Sequence, residues 1–266
     1  MLVDKKYNIL KPIKTSNLIR LGGNSDGGYV VNSDIIKKTN NLISFGMGTD
    51  WSFELDYIKK NKNILIYIYD HTVSSTPYVK DIFKYLRRLM TFRSNFKAVL
   101  DRVSYYLKYK NFLFLKNVNF FKEKITDKIR IKTESDINKV FSRIDNKNGV
   151  VLKCDIEGDE YKIVDKILEQ KNRLEMLITE FHWIDKNEEL FLKSIRKIKD
   201  HFEIIHIHGN NHFAKGKSGL PIIMEITFLN KKYIQDEKIE YIKHFPIDGL
   251  DYPCNRYKED LTFSFE

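Results

Sequence analysis

The sequence predicts an α/β fold built on an open, mostly parallel sheet, and three features predict it. Apolar runs of strand length alternate with amphipathic stretches of helical period along most of the 266 residues. One strand runs into a glycine loop and a helix, and the next strand ends in an acid. The last apolar run, Pro221 to Leu229, has no helix ahead of it, as expected of a final strand that returns by a hairpin.

Composition sets the outer bounds. With 42% hydrophobic residues the chain can bury a full core, and 1–266 fits one domain carrying an insertion. No apolar run approaches the roughly 20 residues of a membrane span, and Met1 to Lys14 lacks a signal peptide's apolar centre. Two cysteines, 154 and 254, are too few for a disulfide framework, so a reducing, cytoplasmic setting is expected. The formal charge of +10 is concentrated: between Tyr78 and Lys128 thirteen Lys/Arg face four Asp/Glu.

In chain order, Asn17 to Val31 holds the pairs Gly22-Gly23 and Gly27-Gly28 ahead of Tyr29-Val30-Val31. That density predicts a tight hairpin or, as the alternative, a flap over a ligand. Asn41 to Phe45 is a strand, Gly46-Met47-Gly48 a loop, and Trp51 to Lys60 a helix that Asp50 or Ser52 can cap. Ile64 to Tyr69 is the second strand and runs into Asp70-His71, 24 residues after Gly46. A G-x-G loop admits a ligand close to the backbone, and an acid at that distance can accept hydrogen bonds from ribose hydroxyls. Together they point to an adenosine-bearing cofactor.

Thr76 to Asn111 differs in kind, with apolar and aromatic residues at helical spacing and Arg87, Arg88, Arg93, Lys97 and Arg102 between them. It reads as one or two amphipathic helices inserted at about 76–111. A solvated basic face, a dock for an anionic substrate or partner, and a membrane or nucleic-acid contact are the alternatives, though no nucleic-acid-reading motif accompanies it. The alternation resumes with a strand at Phe112 to Leu115, a helix at Ser135 to Ile144, and a strand at Val150 to Cys154. A helix over Glu160 to Leu168, a strand over Leu174 to Phe181, a helix over Asn187 to His201 and a strand beginning near Glu203 follow.

Ligands of open α/β sheets lie at the carboxyl ends of the strands. That edge gathers Lys153, Asp155 and Glu157, then Glu180 and His182, then His206 and His208, the paired residues sharing a face by strand alternation. Such a set suits a general base, a histidine oriented by a carboxylate, or the binding of Mg, Mn or Zn. The plainer alternative is that Asp155 and Asp159 cap the next helix while Glu157 and Glu160 are solvated.

Leu152-Lys153-Cys154-Asp155-Ile156-Glu157-Gly158-Asp159-Glu160 resembles the LKxDIEGxE signature of FkbM-type methyltransferases, S-adenosylmethionine-dependent enzymes that often O-methylate sugars. The likeness extends from Leu42 to Leu229 through Phe45-Gly46-Met47-Gly48 and Asp70, although Ser44 and Phe45 stand where an acid often precedes the glycines. It implies a class I methyltransferase (Rossmann-like) fold with a seven-stranded, mostly parallel sheet. It further implies that Phe45, Gly46, Met47, Gly48, Asp70, His71 and Asp155 hold S-adenosyl-L-methionine. Asp155, Glu157, His182 and His208 would be catalytic, and Asp155, Glu180 and His182 would bind a divalent Mg or Mn ion. The acceptor would be a sugar, free or phosphate-linked, of a surface polysaccharide, with the basic helices facing its phosphates. A metal-dependent hydrolase using Asp155, His182 and His208 and a non-catalytic binding module are the rival outcomes.

Overall fold

The computed structural model describes residues 2–145, 149–234 and 239–266. Its centre is a seven-stranded sheet in the order β10-β11-β9-β8-β3-β4-β5. These strands are β3 (Asn41–Phe45), β4 (Leu65–Tyr69), β5 (Val118–Phe121), β8 (Val150–Cys154), β9 (Leu174–Phe181), β10 (Phe202–Gly209) and β11 (Met224–Asn230), while β6 (Lys124–Ile125) and β7 (Glu134–Ser135) pair with each other outside this sheet. Each neighbouring pair from β9 to β5 is parallel, and β11 alone runs against the rest, wedged between β9 and β10. This is a mostly parallel, Rossmann-like, seven-stranded sheet with a hairpin-returned last strand.

The strands carry apolar residues on both sides because both sides are covered. Ile43, Phe45, Leu152 and Cys154 face a layer with α5 (Ile137–Ser142), α6 (Glu160–Glu169) and α7 (Glu188–Lys199). Leu42, Val151 and Ile66 face the other layer, with α1 (Ser33–Lys38) and α2 (Ser52–Lys60). The hairpin expected at the glycine pairs is present as β1 (Leu18–Leu21) and β2 (Tyr29–Asn32), antiparallel.

The strand expected at Phe112 to Leu115 is corrected. These residues close a helix: Phe112 is buried and Phe114 is exposed, a helical rather than an alternating pattern. The strand lies just beyond, at β5, where Val118 takes up the register with Ile66. The basic insertion is a pair of helices, α3 (Thr76–Met90) and α4 (Phe96–Leu113), in mutual contact. Its root is an aromatic cluster in which Tyr78 stacks on Tyr109 with centroids 4.5 Å apart and Trp51 packs on Tyr105 and Tyr109 at 5.1 and 5.6 Å.

Candidate active site

A cleft of about 610 Å³ opens at the carboxyl ends of β3, β4 and β8. Gly46 (φ +75°) passes so close to the end of β8 that a Cβ there would lie 1.7 Å from the Asp155 carbonyl oxygen, which requires glycine. Its amide donates to the Tyr69 carbonyl at 3.1 Å and its carbonyl accepts from Lys153 Nζ at 2.8 Å. The loop is therefore held from both neighbouring strands. Gly48 (φ +59°) has open space where a Cβ would stand.

Asp70 is the loop's other anchor. Oδ2 accepts from the amides of Met47 and Gly48 at 3.0 and 2.9 Å, and Oδ1 accepts from the Thr72 amide and hydroxyl and from the Val73 amide. Burial would raise its pKa, but these donors outweigh burial and hold the carboxyl below its ordinary value. Five hydrogen bonds occupy both oxygens, so the expected ribose acceptor is first of all the clamp that shapes the glycine loop. His71 beside it is exposed and lines the cleft. The Phe45 ring is fully buried against Tyr69, and its carbonyl accepts from the Asp155 amide at 3.0 Å.

Past β8 the chain turns through Glu157 (φ +59°) and Gly158 (φ +109°) into α6. The buried Glu160 carboxylate accepts from the amides of Ile156 and Gly158 and from His182 Nδ1, at 3.0, 3.1 and 3.0 Å. Since that oxygen is an acceptor, Nδ1 carries the proton and Nε2, on the other side of the buried ring, is left with its lone pair. Nε2 lies 3.5 Å from Glu157 Oε2 and 3.9 Å from Asp155 Oδ1. Burial depresses the His182 pKa, but the Glu160 hydrogen bond and the charges of Glu160, Asp155 and Glu157 more than reverse this and raise it. Burial raises the Asp155 pKa, opposed by Lys153, His182 and the hydrogen bond from the Tyr29 hydroxyl at 3.0 Å.

Two expectations are corrected here. The metal set Asp155, Glu180 and His182 does not assemble; Asp155, Glu157 and His182 do, with ligand atoms all within 4.8 Å of one another. Glu180 lies instead in a buried row across the sheet, opposite Glu225 on β11, which is opposite His208 on β10. Its carboxyl accepts from Asn210 Nδ2 at 2.9 Å and lies 3.4 Å from the Tyr29 hydroxyl. His208 is likewise no cleft residue. It is buried, with Nδ1 3.3 Å from Glu225 and Nε2 3.0 Å from Asp260. The C-terminal segment folds over the ends of β10 and β11, held by Asn211 Nδ2 donating to the carbonyls of Asn255, Lys258 and Glu259. His206 pairs with Asp251 at 3.0 Å under the same segment.

Tyr29, Lys153 and Glu160 emerge as site residues of greater weight than their place in the sequence suggests. For Glu160 the signal was its spacing, on the same helical stripe as Val164 and Ile167. For Lys153 it was a lone charge inside an uninterrupted apolar strand. The glycine hairpin serves as both turn and wall: Ser25, Asp26 and Gly27 line the cleft, and Arg20 holds that turn through the carbonyls of Gly23 and Ser25. The cleft is acidic in a basic protein. Asp26, Asp50, Asp70, Glu123, Asp155, Glu157 and Asp159 line it against Lys124 and Lys153. Arg87 and Arg88 lie eleven and twelve residues along α3 from its start, roughly 17 Å at helical rise, and do not line it. A larger hollow of about 740 Å³ lies elsewhere, between α1 and the chain after β11, without a comparable convergence of groups.

No protein-family model and no curated protein sequence matches the chain. Solved structures similar to it include the fibrillarin pre-rRNA processing protein of Methanococcus jannaschii, 13% identical over 73% of this chain and 68% of that one, with a TM-score of 0.39. A putative rRNA-methylase from Clostridium thermocellum is 9% identical over 74% and 92%, at 0.40. A putative caffeoyl-CoA O-methyltransferase from Staphylococcus aureus is 9% identical over 74% and 82%, at 0.35. These are distant likenesses.

Proposed function

We propose that the protein is an S-adenosylmethionine-dependent O-methyltransferase of the FkbM type, a single cytoplasmic domain that methylates a hydroxyl of a sugar from a surface polysaccharide. The observation that supports this is the Glu160–His182 pair, whose Nε2 lies 3.5 Å from Glu157 and 3.9 Å from Asp155, two residues that line the cleft walled by the glycine loop. S-Adenosylmethionine supplies a methyl group on a cationic sulfonium. The lining suits that charge, and the open side of Gly48 leaves room for a close ligand. Gly46 to Gly48 would border the methionine end, Asp70 and His71 the ribose end, and Asp155 the boundary with the acceptor. His182 takes the acceptor's proton at Nε2 while Glu160 holds the ring, and the cleft walls keep the acceptor oriented, which supplies much of the rate in a displacement at carbon.

The acidic lining favours a neutral acceptor over a phosphorylated one. Asp155, Glu157 and His182 also offer suitable donors for a Mg or Mn ion; with that ion bound, Nε2 would be a ligand in place of the base, and the ion would instead make the acceptor hydroxyl more acidic. Titration calorimetry with S-adenosylmethionine and its demethylated product is the test. The wild type is expected to bind at micromolar strength, about −8 kcal/mol, and Gly46→Ala not to bind, since its Cβ has no space. Absence of binding by the wild type, with and without added divalent ion, would remove the assignment.

A further inference from the structure

The cleft leaves the far end of the helical pair unexplained. Between residues 76 and 113 nine Lys/Arg stand against two Asp/Glu, and the turn joining α3 to α4 carries large apolar side chains in solvent: Phe92 is 97% exposed, Met90 74% and Phe96 63%. Phe83, 65% exposed, continues the stripe two helical turns before Met90. Arg87, Arg88, Arg93 and Lys97 surround these residues, all exposed. The turn is closed by its own backbone, with the Thr91, Phe92 and Arg93 amides donating to the carbonyls of Arg87, Leu89 and Arg88. Phe92 itself is held at φ +55°, an uncommon conformation for a bulky residue. The tip therefore presents its apolar groups without a partner to order them, roughly 20 Å along the helices from the aromatic root.

We infer that this tip docks on an anionic phospholipid surface, Phe92, Met90 and Phe96 entering the acyl boundary and the surrounding cations meeting the headgroups. Charge complementarity selects the occupant. A second copy would bring an equally basic tip against this one, and a nucleic-acid backbone has no use for Met90 or Phe83 in solvent. A bilayer with acidic headgroups satisfies both classes of side chain at once. No described helix is long and apolar enough to cross a membrane, so the contact is interfacial. The inference stands apart from the chemistry of the cleft.

The full chain, sedimented with phosphatidylcholine vesicles with and without a fraction of phosphatidylglycerol, provides the test. Binding is expected with the anionic vesicles only. Arg87→Gln with Arg88→Gln should weaken it roughly 30-fold, at about one kcal/mol per cation near the surface. Phe92→Ser with Phe96→Ser should weaken it at least about tenfold while leaving circular dichroism unchanged and the thermal midpoint nearly so, since both side chains lie mostly in solvent. No sedimentation, equal sedimentation with neutral vesicles, or undiminished binding by the Phe variants would overturn the inference. So would absence of lipid binding combined with an RNA complex or a dimer lost in the same variants, which would reassign the tip to those partners.

Discussion

Lys153 and Glu180 show what buried ionisable residues do at this sheet edge. Lys153 is enclosed, yet its pKa is raised: burial lowers it, and the charges of Glu54, Asp155, Glu180 and Asp50 more than compensate. Lys153→Met would free the Gly46 carbonyl and leave Glu54 buried without its cation, 3.9 Å away; a loss of about 3 kcal/mol is expected in denaturant unfolding. Glu180 is the reverse case. Burial, then the charges of Asp155 and Glu225, push its carboxyl well above the ordinary 4.5, so the folded state holds the proton that the unfolded chain releases. Stability at this position therefore falls as pH rises above 4.5 toward the folded pKa. Glu180→Gln keeps the shape and the Asn210 hydrogen bond and removes that cost. Its thermal midpoint should match the wild type near pH 4.5 and exceed it by a few degrees at neutral pH; a gap that narrows as pH rises would contradict the assignment.

Elements show which parts of the fold the sequence discloses. The strands Val150–Cys154 and Leu174–Phe181 have the bounds their apolar runs predict, because strands buried on both faces leave no polar alternation to blur their ends. The run Phe112 to Leu115 misled because four apolar residues fit a strand or the buried end of a helix equally well, and α4 already supplied the helical period. The partners of His208 were illegible for a different reason: Asp260 stands 52 residues further on, in a segment without strong periodicity. Asp155 and His182 were legible because both lie directly past parallel strands. The root of the helical pair connects the insertion to the cleft, through Trp51 and through the Tyr105 hydroxyl donating to the Thr49 carbonyl at 2.9 Å. Trp51→Ala should cost about 3–5 kcal/mol and also weaken cofactor binding, since the loop after Gly48 loses its support. Calorimetry alongside unfolding separates the two: intact binding in a destabilised variant would mean the helices do not steady the loop.

On the scale of the whole molecule the feature that matters is charge segregation. A chain of net charge +10 lines its cleft with seven carboxylates and two lysines and places its cation surplus on helices that reach away from it. A cationic ligand is thus drawn into a basic protein by local field, with exposed lysines and arginines beyond a Debye length of about 8–10 Å at moderate salt largely screened from the cleft. The consequence is an ionic-strength signature that separates the two ligands of the proposed reaction. KM for S-adenosylmethionine should rise with salt, as screening weakens the attraction of Asp50, Asp155 and Glu157 for the sulfonium. KM for a neutral sugar should stay flat, and KM for a sugar phosphate should start higher and fall, as the same screening relieves repulsion. A sugar phosphate whose KM is the lowest of the three at low salt and rises with salt would mean that cations, not the carboxylates of the lining, receive the acceptor, and would move the acceptor site toward Lys124 at the cleft's edge.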